Sequence, residues 1–207
     1  MSHKKLSLLN KDIPASDAWA IFLCLTILAF WSLVLTYKYY CFGYYDWDLA
    51  LYAHAMWNLT QGTTTTSLFG MSFLGNHSNY IAFLIAPIYA LFPHPLTLVM
   101  LKVLSSVTGG FILYRIAKEK LSGLWGNIFM LMFFLLPANY LIIPHEFDFE
   151  SLAVAPLLLM YYFMQKRRFV PFIISAVIVA SMKENLPLVL VAFGIYEIFS
   201  EKNEKWK

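Results

Sequence analysis

The stretch Tyr80-Ile-Ala-Phe-Leu-Ile-Ala-Pro-Ile-Tyr-Ala-Leu-Phe-Pro-His-Pro95 decides how this chain is read, because it either crosses a membrane or lies against one. Its uninterrupted apolar part runs from Tyr80 to Phe92. As a helix that part reaches about 20 Å, short of the roughly 30 Å hydrocarbon core, and Pro93-His94-Pro95 stops it. Length therefore argues against a crossing. Charge gives an independent answer. Longer or comparable apolar runs lie at 18–37, 96–114, 124–143, 151–164, 169–182 and 186–199. If those six are the spans, Lys4, Lys5, Lys11, Arg115, Lys118, Lys120, Lys166, Arg167, Arg168, Lys202, Lys205 and Lys207 share one side. Only Lys38 and Lys183 fall on the other, with Lys102 inside a span. Counting 80–92 as a further span reverses every later loop and leaves four basic residues inside against ten outside. Lys and Arg concentrate in cytoplasmic loops, so six spans with both termini cytoplasmic are expected.

Composition fits a plasma-membrane protein. The 207 residues are 60% hydrophobic and 13% charged, where soluble domains carry about 25% charged residues. A soluble single domain is excluded, and the lipid bilayer is the expected partner. A net charge of +3 gives no reason to invoke nucleic acid. Cys24 and Cys41 stand about 25 Å apart along a continuous helix, too far to bridge, and no metal-binding or redox cysteine motif is present. The Ala18–Tyr37 run continues into Tyr37-Lys38-Tyr39-Tyr40 rather than a small-residue cleavage site, so it reads as a retained anchor.

The expected fold is thus an all-α polytopic transmembrane bundle of about six spans. Its first extracytoplasmic loop, 38–95, carries interfacial helices at about 48–59 and 80–92, with Trp47, Tyr52 and Trp57 as headgroup-level anchors. The outer face collects Asp46, Asp48, Glu146, Asp148, Glu150 and Glu184, together with His54, His77, His94 and His145. Asp46 and Asp48 are spaced to share a divalent cation such as Mg or Mn, or to supply one general base, and an N-cap role is the plain alternative for one of them. His77, in Asn76-His77-Ser78-Asn79, could orient a phosphate, ligate a metal or stand at a helix start. Pro144-His145-Glu146-Phe147-Asp148-Phe149-Glu150 packs three carboxylates and a histidine between two spans. Lys183-Glu184 sits in a tight turn between apolar runs, where charges pair or face a water-filled cavity. Lys102, about two turns into its span, is expected to snorkel outward or to meet an anionic lipid phosphate. Ser105-Ser106 and Gly109-Gly110 read as close helix packing. The runs 151–164 and 169–182 are short, so they extend into their flanks, thin the bilayer or border a polar cavity.

The sequence from Asp48-Leu-Ala-Leu-Tyr-Ala-His-Ala-Met-Trp-Asn-Leu-Thr-Gln-Gly62, through His77, Ala86-Pro87-Ile88-Tyr89-Ala90-Leu91-Phe92-Pro93 and Asp148-Phe149 to Lys183-Glu184, resembles the polytopic family catalogued as domain of unknown function 2079. That family in turn resembles the N-terminal half of C-type glycosyltransferases, membrane enzymes that transfer sugars from polyprenyl-phosphate donors at the outer face. The resemblance implies an essential acidic residue at Asp48, with Asp46 as a second ligand. It also implies a polar site shaped by His54, His77, His145, Glu146, Asp148, Glu150 and Glu184, and a cation, Lys183 or Lys102, facing the leaving lipid phosphate. This chain departs from the pattern at His54, where Gln is expected, and at Asn185, where Asp is expected. Glu150 also stands where a histidine is expected, unless His145 takes that place. Enzymes of this kind are longer, so the expectation is that a second polypeptide partner supplies further spans, that the gene is split, or that the chain is a truncated, minimal or inactive member. The alternative reading is a non-catalytic membrane subunit or transporter-like protein that binds a lipid or solute. A transporter, however, places polar residues or broken helices near the midplane and carries an internal repeat, whereas here the charges lie at the rim and no repeat is evident.

Overall fold

A computed structural model describes residues 14–45 and 47–199. Pro14 opens the first helix, α1 (Ala15–Tyr40), whose 26 residues give about 39 Å of rise. It is followed by α2 (Asp48–Thr60), a short antiparallel ribbon of β1 (Thr65–Thr66) and β2 (Met71–Ser72), and α3 (Ala82–Leu91). Then come α4 (Pro95–Lys120), α5 (Gly123–Leu135), α6 (Pro137–Ile142), a 3-10 segment at Phe149–Ala153, α7 (Val154–Gln165), α8 (Phe169–Ala180) and α9 (Leu186–Phe199). The fold is an all-α helical bundle, and the small ribbon is its one β element among the described residues.

Contacts between helix ends fix the course of the chain. Asp17 at the start of α1 receives Lys118 Nζ at 2.6 Å and the Tyr114 hydroxyl at 2.5 Å, both from the end of α4. At the other extremity Lys38 donates to the Pro144 carbonyl at 2.6 Å. Lys166, just past α7, pairs with Glu119 of α4 at 2.7 Å, and Arg167 pairs with Glu197 near the end of α9. The chain therefore runs between two ends six times, through α1, α4, α5–α6, α7, α8 and α9. Basic residues dominate one end, and the acidic turn at 146–150 lies at the other.

The Tyr80–Phe92 stretch does not traverse. Its first backbone amide beyond Tyr80, that of Ile81, donates to Ser181 at 2.8 Å, and His94 at its far side meets the Tyr39 ring. Ser181 and Tyr39 both belong to the same end of the bundle, so α3 lies across that end, packed on α2 and burying Ala82, Ile85 and Tyr89.

Helix packing follows small residues. A Cβ on Gly110 would strike the Phe134 ring of α5, and one on Gly109 would meet Val154 of α7 at 2.6 Å. Ser105 Oγ donates to the Leu152 carbonyl at 2.7 Å and accepts the Ala155 amide at 3.3 Å, joining α4 to the start of α7. In a lipid setting such close approach and hydrogen bonding, rather than burial from water, holds helices together.

Several boundaries differ from the sequence reading. Only α1 and α4 are long and apolar enough to cross a membrane as single helices among the described residues. The 124–143 run is broken, because Pro137 lacks an N–H and forces Leu136 to extended geometry (φ −59°, ψ 130°). The 151–164 run opens with 3-10 geometry. α2 does not float on the surface, since it buries Leu49, Leu51, Tyr52, Ala53, Ala55 and Met56. Trp47 and Trp57 are about half exposed, but Tyr52 is 5% exposed and turned inward. It shares a helix face with Leu49 and Met56 and packs edge-on against Phe147 and Phe149 at 5.9 and 5.1 Å.

Candidate functional site

The site is organised by the loop that joins α6 to α7. Two lysines hold its backbone. Lys102 Nζ, on α4, donates to the carbonyls of His145 at 2.6 Å, Glu146 at 3.1 Å and Ile142 at 3.4 Å, while Lys38 takes Pro144. Lys102 is 1% exposed, so the expected outward snorkelling and the meeting with lipid phosphate are both replaced by an inward cap on the end of α6. The reason is that a helix ending inside the bundle leaves carbonyls that need donors, and a cation satisfies several of them at once.

With the backbone held, the side chains point to three different tasks. Glu146 is buried and its Oε2 accepts the Leu49 amide at 3.1 Å, closing the amino end of α2. Trp47, the residue preceding α2, offers no side-chain cap, so a carboxylate from 97 residues away supplies it. Asp48 is the first residue of α2 rather than its cap. Asp148 caps the 3-10 segment through Ser151 N at 2.6 Å. Glu150 reaches outward to Lys183 Nζ at 2.7 Å and Asn185 Nδ2 at 2.9 Å. His145 is exposed. His145, Glu146, Asp148 and Glu150 together line a cavity of about 350 Å³, closed on its apolar side by Leu141, Ile142 and Val154.

The α8–α9 turn forms a polar rim of its own, joined to the cavity wall by the bond from Lys183 to Glu150. His77 Nδ1 lies 2.8 Å from Glu184 Oε1, and the Ser78 amide donates to Glu184 Oε2 at 3.1 Å. The Glu184 carboxyl is pulled down to about 2, by its own backbone amide first and then by His77 and Ser78. For Glu150, burial works against ionisation, but the bonds from Lys183 and Asn185 outweigh it and its carboxyl also sits below the usual range. The Lys183 amine is raised in turn, chiefly by its bond to Glu150. Behind this rim stands Tyr52, whose hydroxyl accepts from the buried Asn79 at 3.4 Å. Its phenol is pushed up by burial foremost, with the negative charges of Asp48 and Asp148 adding and Asn79 and Lys183 opposing.

The structure thus gathers His145, Glu146, Asp148 and Glu150 at one cavity, with Lys183 bonded to its wall. Asp48 does not line that cavity, but it is an electrostatic neighbour of Tyr52 together with Asp148 and Lys183. His54 stands apart, facing Asn58 on its own helix at 3.1 Å, and Asn58 in turn donates to Thr65 of the ribbon at 2.8 Å. Asp46 lies outside the described residues, as do the terminal lysines. Among the described residues no group of three or more His, Cys, Asp or Glu side chains is placed to hold a metal ion. Tyr52, Asn79 and Lys38 were not singled out as polar site residues by the sequence. Asn79 carried the only signal, as a polar residue opening an apolar helix.

Comparison with known protein families matches residues 38–207 to the family described as predicted membrane protein (DUF2079). The chain belongs to that family. The match begins in the last turn of α1 and takes in every described residue of the site, so in this DUF2079 protein the site is part of the family's own domain. Neither the comparison with curated proteins nor that with solved structures gives a match.

Proposed function

We propose that this DUF2079 protein crosses the plasma membrane six times, with both termini cytoplasmic, and acts at its acidic outer end on a lipid-linked sugar, as C-type glycosyltransferases do. The observation that supports this most is the convergence of four polar residues, scattered by type and burial, on a single cavity beside a buried Tyr52–Asn79 pair and a Lys183 cation. In the reaction the acceptor oxygen forms a bond to the anomeric carbon as the bond to the lipid phosphate oxygen breaks. The acceptor's proton passes to the Asp48 carboxylate, and the phosphate leaves with its electron pair toward Lys183. Lys102 has a structural role in this reading, since its protons are directed at carbonyls.

A second reading, a non-catalytic subunit that binds a lipid or solute, is favoured by the structural use of Glu146, Asp148, Glu150 and Glu184 as caps and ion-pair partners. Transfer from a polyprenyl-phosphate sugar to an acceptor in proteoliposomes separates the two. Asp48→Asn is expected to lower turnover by about 10²-fold or more, the scale of a lost general base. Full activity in that variant would remove Asp48 from the mechanism, and no transfer by the parent chain under any donor would favour the subunit reading.

A further inference from the structure

A second cavity, of about 340 Å³, has Glu146 in its lining as well, together with Tyr39, Tyr40, Phe42, Tyr44 and Pro95. Tyr40 also lines an apolar groove of about 530 Å³ that follows α4 past Met100, Leu101 and Leu104. From Pro95 to Leu104 the groove descends about 14 Å, half the thickness of a hydrocarbon core. That is the depth one chain of an outer-leaflet lipid occupies.

The upper cavity carries the chemistry of an ammonium site. Four aromatic residues share the lining with the buried Glu146, and aromatic rings and a carboxylate both attract cations, by ring quadrupole and by charge. The Tyr44 hydroxyl is buried with no hydrogen-bond partner among the described residues. An N–H donor entering the cavity would satisfy it. Lys38 stacks on the Tyr44 ring at 4.3 Å and donates to Pro144, but neither Lys38 nor Pro144 lines the cavity. Beside the groove, His94 Nδ1 accepts the Leu96 amide at 3.2 Å, which places the ring proton on Nε2 as a donor suited to a phosphate, next to the positive end of α4.

The backbone supports the same place. At the end of α1 the Gly43 amide bonds Lys38 O at 2.8 Å and the Phe42 amide bonds Tyr39 O at 3.1 Å, a Schellman turn in which Phe42 takes the left-handed position (φ 53°) that glycine ordinarily fills. A bulky residue stands there against its conformational preference, and it is exposed and lines the cavity.

We propose that this cavity and groove bind a zwitterionic phospholipid with a primary ammonium headgroup, phosphatidylethanolamine in class. The ammonium sits between Tyr40, Phe42, Tyr44 and Glu146, the phosphate lies toward His94, and one acyl chain lies along α4. The site needs only that this face of α4 meet the bilayer, and it stands whether or not the acidic cavity is catalytic.

Native mass spectrometry of the purified full chain, offered equimolar phosphatidylethanolamine, phosphatidylcholine and phosphatidylglycerol together with a polyprenyl phosphate, tests it. Retention of phosphatidylethanolamine about tenfold over the others is expected. Leu104→Trp, at an exposed groove position, should lose that adduct, whereas Leu135→Trp, exposed on α5 away from the groove, should keep it. Tyr44→Phe and Phe42→Gly should each cut the preference about threefold to tenfold, the effect of one lost polar or aromatic contact. Equal retention of all four lipids, preference for phosphatidylglycerol or the polyprenyl phosphate, or an undiminished adduct in Leu104→Trp would overturn the proposal. Should Leu104→Trp melt below the parent, the Tyr44→Phe result decides alone.

Discussion

Lys102 illustrates how a single residue changes meaning between sequence and structure. In the sequence it is a cation within an apolar span, which reads as snorkelling outward or meeting an anionic lipid phosphate. In the fold its amine answers three carbonyls at the end of α6 and holds the loop from which Glu146 caps α2. Lys102→Met should therefore destabilise the bundle by about 3 kcal/mol, the scale of leaving buried acceptors unsatisfied, read as a fall in the thermal midpoint of the detergent-solubilised chain. The His77–Glu184–Ser78 contact is a residue-scale feature with a pH signature. The Glu184 carboxyl is depressed from 4.5 to about 2, so its contribution is complete above 4.5 and is lost as pH falls toward 2. Hydrogen exchange at the Ser78 amide should accelerate across that window, and Glu184→Gln should remove the dependence. Both contacts link residues far apart in the chain, which is why neither partner announced the other in sequence.

Among the helices, the spacing of small residues was legible and the breaks were only partly so. Gly109-Gly110 and Ser105-Ser106 read as a packing stripe, and each meets a neighbouring helix in the structure. Gly110→Val would drive a branched side chain into the Phe134 ring and should cost about 2–3 kcal/mol by overpacking. The same measurement on Gly194→Val, where open space surrounds the glycine, should show little change. Pro137 lay within an apolar run whose length alone suggested one helix, and its effect on Leu136 divides that run into α5 and α6. The amphipathic content of α2 was visible, but its burial was not. Which face of such a helix is covered depends on Phe147 and Phe149, residues from a distant loop.

For the whole molecule, the alternation of helices between two ends gives a direct test of membrane placement. In a background lacking Cys24 and Cys41, cysteines introduced at Thr63 and Arg168, both exposed and at opposite ends, should react with an impermeant reagent from opposite sides of the membrane. Thr63→Cys should label from outside intact cells and Arg168→Cys only after permeabilisation. Labelling of both from one side would end the six-span proposal. The sequence alone marks the chain as an apolar helical bundle, with an 80–92 stretch that does not traverse it, basic residues dominating one end and the 146–150 carboxylates at the other. Those properties follow from run length, proline and charge counts, all of which are local or additive along the chain. Which charges face a cavity and which serve as caps is set by the folded chain, because a carboxylate or an amine is assigned its task by the backbone ends and partners that folding brings within about 3 Å of it. Thus Glu146 became a cap and a wall of two cavities, Lys102 became a clamp, and Tyr52 became the buried hydroxyl behind the site.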